Sequence, residues 1–519
     1  MTVTDQTVAP AGGPSRSADD AVKAVARGGA LNLVGSVIYG AANFGLLVVL
    51  NRVLGAASAG IVVVAITLFS VSETICEAGS ATGLIRMISR HRALDEAEEI
   101  PATVKVAVVP VVMVSVVLAV VLYLCAHPLA DLLSDGHQTA TVARILQAMA
   151  PFLPFYTLQS VVVQATRGFD TMKPQVFIER VGRALSLPIV VGIAVAIGMG
   201  PVGVGVAWAA TNVVALVFST MALRGRVHRA VDATGRLAPR VTRRRFRSYW
   251  GFTLPRAVGQ TAETAVNWID TLIVSAVVST TAAGIYASGT RYLLPGLYAA
   301  EALMQVTGPR ISGLLSRGEK AEASHLLKIV AGWQTAVMWP IYLLTALFPT
   351  PLLLLFNKEA VEARGALVAL SIAMLIAAPA GPVASVILMA GRSTQAMVNT
   401  IVLVVINVGG NLLLVPHFGI TSAGIVWGVT ILVAALLPGW QANRSLDVGT
   451  LGWPAFVAAA LAAGTVGAIA GITRVIAGDN LSGLAIATSL GGLAYLVGLR
   501  LLRSHLHLDA LWNGIRRRS

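Results

Sequence analysis

A chain of 519 residues that is 56% hydrophobic and 12% charged, with mean hydropathy +0.77, is too apolar for one or several water-soluble cores. Its formal charge of +14 invites a nucleic-acid reading, but the Lys and Arg residues fall in short gaps between apolar runs. That placement is the positive-inside pattern of a multispanning membrane protein, and it argues against nucleic acid as a partner.

In chain order, residues 1–27 are rich in Ala, Gly, Ser, Asp and Pro and lack the basic-then-apolar pattern of a cleaved leader, so they read as a disordered cytoplasmic tail. Crossing a bilayer takes roughly 20 apolar residues. Runs of that kind lie at about 28–50, 59–82, 103–126, 142–165, 176–198, 201–223, 252–277, 283–306, 327–349, 363–389, 396–416, 419–440, 452–475 and 482–502. The expected fold is all-α and integral to the membrane, with about 14 transmembrane helices. Segments 28–223 and 252–440 form two six-helix bundles, joined by a basic cytoplasmic linker at 224–251. Two extra helices at 452–502 and a basic cytoplasmic tail at 503–519 follow. Pro151 and Pro154 in the fourth run, and Pro379 and Pro382 in the tenth, mark kinks. Cys76 and Cys125 both fall in apolar runs without metal or disulfide spacing and read as buried thiols.

Basic residues crowd alternate gaps. Arg86, Arg90 and Arg92 follow the second run, Arg167 and Lys173 the fourth, and Arg310, Arg317 and Lys320 the eighth, and the linker holds nine arginines from Arg224 to Arg247. Both termini are therefore expected in the cytoplasm; Arg52, Lys358, Arg364 and Arg474 are the exceptions. Phe246, Tyr249 and Trp250 close the linker as an interfacial anchor, with an amphipathic hinge on anionic lipid as the sharper alternative.

The chain repeats itself at an offset of 224. Ala59-Gly60-Ile61 returns as Ala283-Gly284-Ile285, Glu77 as Glu301 and Arg86 as Arg310. Gly200, Gly205 and Trp208 return as Gly419, Gly424 and Trp427 at offset 219. An even number of helices per copy gives both copies the same orientation, so their pseudo-two-fold axis runs along the membrane normal and a central cavity lies between them.

Charged groups at bilayer depth usually face a cavity, a partner or a pathway. Arg256, Gln260, Glu263, Asn267 and Asp270 recur at 4-3-4-3 spacing, one face of the seventh helix, opposite Asn32, Ser36, Tyr39 and Asn43 on the first. The stripe reads as a cavity lining, with polar helix-to-helix packing as the alternative. Arg291, with Tyr286 and Tyr292 nearby, suits a phosphate or diphosphate, or pairs with Glu263 or Asp270. Glu73, Glu77 and Glu301 either close a gate with Arg86 and Arg310 or take part in transport. Glu179 and Arg183 are one turn apart, expected as an internal ion pair, with cavity access for Arg183 as the alternative. His505 and His507 lack further ligands, and no metal or cofactor is expected. No phosphate-cradling loop and no long external loop is present, so the chain reads as a non-enzyme driven by an ion gradient, a substrate gradient or a partner.

Asn51-Arg52-Val53-Leu54-Gly55 leading to Ala59-Gly60-Ile61, then Gly83-Leu84-Ile85-Arg86, Ile269-Asp270-Thr271 and Ala283-Gly284-Ile285-Tyr286-Ala287 resemble the MOP flippase superfamily, and within it the polysaccharide-biosynthesis (Wzx-type) flippases. The resemblance covers roughly residues 28–440. It implies a bacterial cytoplasmic-membrane protein, neither a nucleic-acid binder nor an enzyme, that moves a polyprenyl-diphosphate-linked glycan between leaflets while the polyprenyl tail stays among membrane lipids. It also implies function as a monomer, with coupling to H+ or Na+. Arg256, Gln260, Asn267, Arg291, Asn32, Asn43 and Arg183 are then expected as the substrate-binding cavity. Glu263, Asp270, Glu77, Glu301, Arg86 and Arg310 are expected in ion coupling or gating. The extra helix pair resembles MurJ-type lipid II flippases, although the first helix lacks their dense basic set. Multidrug or small-molecule exporters of the superfamily are the remaining alternative, which the membrane arginines disfavour. A membrane glycosyltransferase or polymerase would need an external domain or an acidic metal motif that this sequence does not have.

Overall fold

The computed structural model describes the backbone of residues 16–134, 138–232, 241–383, 386–387, 390, 392–449 and 451–508. Side chains are described from residue 35 onward, except those of 255, 256, 263, 265, 302, 305, 306, 309, 310, 316 and 393. Among the described residues every regular element is a helix, as the composition requires: in lipid a helix satisfies its own backbone polar groups.

The first half comprises α1 (Arg16–Glu77), α2 (Ser80–Ala93), α3 (Ile100–Leu124), α4 (Ala126–Leu133), α5 (Thr139–Met149), α6 (Leu153–Ala165), α7 (Ala184–Ala196) and α8 (Pro201–Asp232). A π-helical stretch, Gln175–Arg183, leads into α7. The second half comprises α9 (Arg243–Val277), α10 (Thr280–Thr290), α11 (Leu294–Ser316), α12 (Lys320–Leu347), α13 (Pro349–Leu353), α14 (Arg364–Ala377) and α15 (Ser393–Leu446). The chain closes with α16 (Trp453–Ala462), α17 (Ala468–Ala477) and α18 (Leu481–Leu501).

Nine helical stretches among the described residues are long and apolar enough to cross a membrane. Two of them hold two arms each. α1 is broken at Gly55 (φ 77°, ψ 163°) and α15 at Gly419 (φ 63°, ψ −152°), backbone angles that glycine adopts without steric cost. Val266–Val277 adds a shorter apolar helix. The helices thus overlie the expected runs, while the expected fourteen crossings do not appear as fourteen separate long helices.

Three boundaries differ from expectation. Helix begins at Arg16, inside the stretch expected as a disordered tail. The second run ends at Glu77, because Ala78 (φ 47°) and Gly79 (φ 73°) turn left-handed before α2. The eighth run is two helices joined by the 3-10 turn Arg291–Leu293, since Pro295 enters the first turn of α11 and has no N–H to continue the ladder. Cys76 is buried as expected; Cys125 is exposed.

The two halves meet in reciprocal contacts. A Cβ on Gly284 would lie 2.6 Å from Gly60 Cα and 3.4 Å from the Ala56 carbonyl oxygen, while a Cβ on Gly60 would strike the Thr280 carbonyl. Thr280 stands to Ala56 as Gly284 to Gly60, at the offset of 224. The same relation links two polar contacts: Asn357 Nδ2 donates to Asn51 Oδ1 at 3.0 Å, and Ser275 Oγ donates to the Leu133 carbonyl at 2.5 Å. Such exchange is what a two-fold interface produces.

At the end nearer the basic linker, Gln260 Nε2 donates to Glu77 Oε1 at 3.2 Å, and Arg180 Nη2 lies 3.5 Å from Glu301 Oε1. The linker end of α9 docks on the first half. Arg245 forms a fork to both oxygens of Glu99 at 2.7 Å, Tyr249 Oη donates to the Ser80 carbonyl, and Trp250 Nε1 donates to the Val106 carbonyl. The Glu99 carboxylate holds the Arg245 guanidinium above its ordinary pKa. The last three helices pack on α12: Tyr495 Oη donates to the Ala336 carbonyl at 2.6 Å, and Gly332 faces Pro454.

Candidate functional site

A cavity of about 220 Å³ lies between the halves, its walls drawn from the second arm of α1 (Val63, Thr67), from α9, from α10 and the turn after it, and from Trp427 of α15. α9 is continuous across Asn267 and Asp270, so their spacing of three places both on this wall. Asp270 is buried and accepts hydrogen bonds from Tyr286 Oη at 2.6 Å and from the Thr271 N–H at 2.7 Å. Those donors fix the carboxylate without a cation.

Arg291 reaches the cavity from the 3-10 turn between α10 and α11. Its guanidinium lies 5.5 Å from the Trp268 ring centroid. Its Nε is buried without a hydrogen-bond partner, and among the described residues it forms no ion pair. The expected alternative, a pair with Asp270, therefore does not form: Asp270 is taken by Tyr286 and Thr271. A buried cation whose donors are not spent inside the protein can receive an anion.

The rest of the expected set is dispersed. Gln260, on the same helix as Asn267, turns to Glu77 and does not line this cavity. Asn43 spends its Nδ2 on the Tyr39 carbonyl of its own helix at 2.8 Å. Arg86 does not meet Glu77; it stacks on Phe252, 3.8 Å from the ring centroid. Glu301 faces Arg180. The side chains of Asn32, Arg256, Glu263 and Arg310 lie outside the described residues. The expected ion pair of Glu179 and Arg183 is absent. Arg183 is instead drawn over Tyr156 and Trp208, at 5.4 and 5.3 Å, and Glu179 Oε2 is buried without a partner.

Sequence reasoning missed Trp268 and Trp427 as cavity residues. Trp427 carried a signal, as the last position of the repeated Gly-x4-Gly-x2-Trp pattern. Trp268 carried none beyond its place next to Asn267. A larger hollow of about 810 Å³, lined by Arg317, Glu322 and His325, lies apart from all of these groups, and its arginine is already paired to Glu319 at 2.6 Å.

Residues 25–315 match the family model described as polysaccharide biosynthesis protein. No curated protein sequence matches the chain. Among solved structures, a lipid II flippase MurJ in an inward closed conformation is similar at 12% identity and TM-score 0.68, over 91% of this chain and 99% of that one. An inward-facing multidrug resistance MATE family transporter of the MOP superfamily is similar at 15% identity and TM-score 0.58, over 79% and 94%. A MOP superfamily transporter from Pyrococcus furiosus is similar at 15% identity and TM-score 0.55, over 82% and 96%. The fold is that of MOP-superfamily transporters.

Proposed function

The chain belongs to the polysaccharide biosynthesis protein family, and from that premise we propose that it flips a polyprenyl-diphosphate-linked oligosaccharide across a bacterial cytoplasmic membrane for surface polysaccharide assembly. The observation that carries the reading is Arg291, a buried guanidinium on the wall of a cavity between two repeats, with no ion pair among the described residues. Its fork matches two oxygens of a diphosphate at once.

The polyprenyl tail stays in lipid while the two halves rock about the cavity. The Glu77–Gln260 and Arg180–Glu301 contacts part when the linker end opens, and the Asn51–Asn357 and Ser275–Leu133 contacts part when the far end opens. Asp270 is the candidate for coupling to H+ or Na+. Both termini are assigned to the cytoplasm, a single chain is the transporting unit, and no catalytic step is involved.

The test is reconstitution of the full chain in vesicles with fluorescent polyprenyl-diphosphate sugar. Losing a charge-assisted hydrogen bond is worth about 1.5–3 kcal/mol, so Arg291→Ala slows flipping about tenfold to a hundredfold. Arg291→Lys recovers part of the rate, because charge without the fork remains. Wild-type flipping by Arg291→Ala overturns the assignment.

A second reading, transport of a lipid-linked peptidoglycan precursor, is favoured by the extent of the likeness to the MurJ structure, 91% of this chain against 79% for the MATE structure. Offering both lipids to the same vesicles separates the two.

A further inference from the structure

Pockets for drug-sized ligands measure about 300–1,000 Å³. At about 220 Å³ the cavity beside Arg291 is smaller, a fit for one sugar ring next to a phosphate and too small for an oligosaccharide. Its flat walls are Trp268 and Trp427, and its polar walls include Asn267, Asp270 and Thr290. A pyranose has the matching character, with C–H faces that stack on an aromatic ring and a rim of hydroxyls that seek amide, carboxylate and hydroxyl partners.

The indoles differ in how they are used. Trp250, Trp333 and Trp339 tie their N–H groups to the carbonyls of Val106, Leu506 and Leu375 at 3.1, 2.8 and 2.9 Å. Trp268 and Trp427 form no such bond among the described residues, although Trp427 is only 8% exposed. A largely buried indole ordinarily finds a partner for its N–H; Trp427 instead lines the cavity. Trp208, at the position equivalent to Trp427, is packed edge-on to Phe69 and Tyr156 with Arg183 above it. The repeat has kept the tryptophan at both positions, and at Trp427 its ring forms part of the cavity wall.

We propose that Trp427 and Trp268 hold the first sugar of the cargo, the ring joined to the diphosphate, while Arg291 holds the adjoining phosphate. This rests on the flippase reading. The first ring then sets selectivity, and distal sugars lie outside this cavity.

Full-length protein in vesicles is given two fluorescent lipids, polyprenyl diphosphate without sugar and the same lipid carrying one sugar. An aromatic contact worth about 0.5–1.5 kcal/mol beyond its area means that Trp427→Leu slows the sugar-bearing lipid about twofold to tenfold more than it slows the bare lipid. Trp427→Phe keeps most of the wild-type preference. Trp268→Leu also slows the bare lipid, because its ring lies against Arg291, and is read by the same ratio of the two rates; it serves if the Trp427→Leu protein does not elute as a folded species. Equal slowing of both lipids, or of neither, overturns the sugar subsite while leaving the flippase reading intact. If wild-type protein flips neither lipid, the flippase reading fails and the subsite falls with it. A soluble UDP-sugar that blocks flipping would reassign the site to nucleotide sugars and overturn the lipid-linked assignment.

Discussion

Asp270 and Arg291 share a cavity wall yet are held in opposite ways, one bonded on both oxygens and the other with donors to spare. Tyr286→Phe removes the hydroxyl that donates to Asp270 and leaves a buried carboxylate oxygen unpaired. A lost hydrogen bond to a charged group costs about 1.5–3 kcal/mol, and thermal unfolding in detergent should show the loss. An unchanged melting temperature would mean that Tyr286 is incidental to the carboxylate. Both residues were legible in the sequence as charges at membrane depth. Their relationship was not, because spacing along a helix says which residues share a face and not which donor on a neighbouring helix arrives first. Gln260 makes the point: it lies on the stripe with Asn267 yet is drawn away by Glu77. Arg183 shows the same limit, since the sequence put Glu179 one turn away but could not reveal the aromatic pair that receives the guanidinium.

Among elements, the helices were the most legible feature, because hydropathy over a length of bilayer leaves few alternatives to a helix. Their interruptions were less so. Gly55 and Gly419 break long helices, while many other glycines sit inside helices without effect, so composition alone does not mark the breaks. Pro295 was visible, but its effect depended on standing at the start of a helix, where it turns the chain through Arg291–Leu293 and sends Arg291 into the cavity. The crossing of α10 with the second arm of α1 depends on two bare backbones. Gly284→Ala places a methyl 2.6 Å from Gly60 Cα, and overpacking of that kind typically costs about 1–3 kcal/mol. Gly225→Ala, where a Cβ meets open space, is the matched control and should be neutral or slightly stabilising in the same unfolding assay. Equal melting temperatures for the two variants would show that the crossing yields freely.

For the whole molecule, alternating access requires that contacts at one end break while those at the other form. Asn51 and Asn357 offer a place to stop that motion. In a background with Cys76 and Cys125 replaced by serine, Asn51→Cys with Asn357→Cys should form a disulfide on oxidation and block flipping, with recovery on reduction. Undiminished flipping by the cross-linked protein would show that the far end need not open. The final three helices share their contacts with α12 and should follow the second half in any such movement. The Gly60–Gly284 crossing also carries a record of descent. A residue that packs against its own duplicate lies on the pseudo-two-fold axis between the repeats. A side chain on either helix at that point has nowhere to go, so neither copy can enlarge its glycine alone.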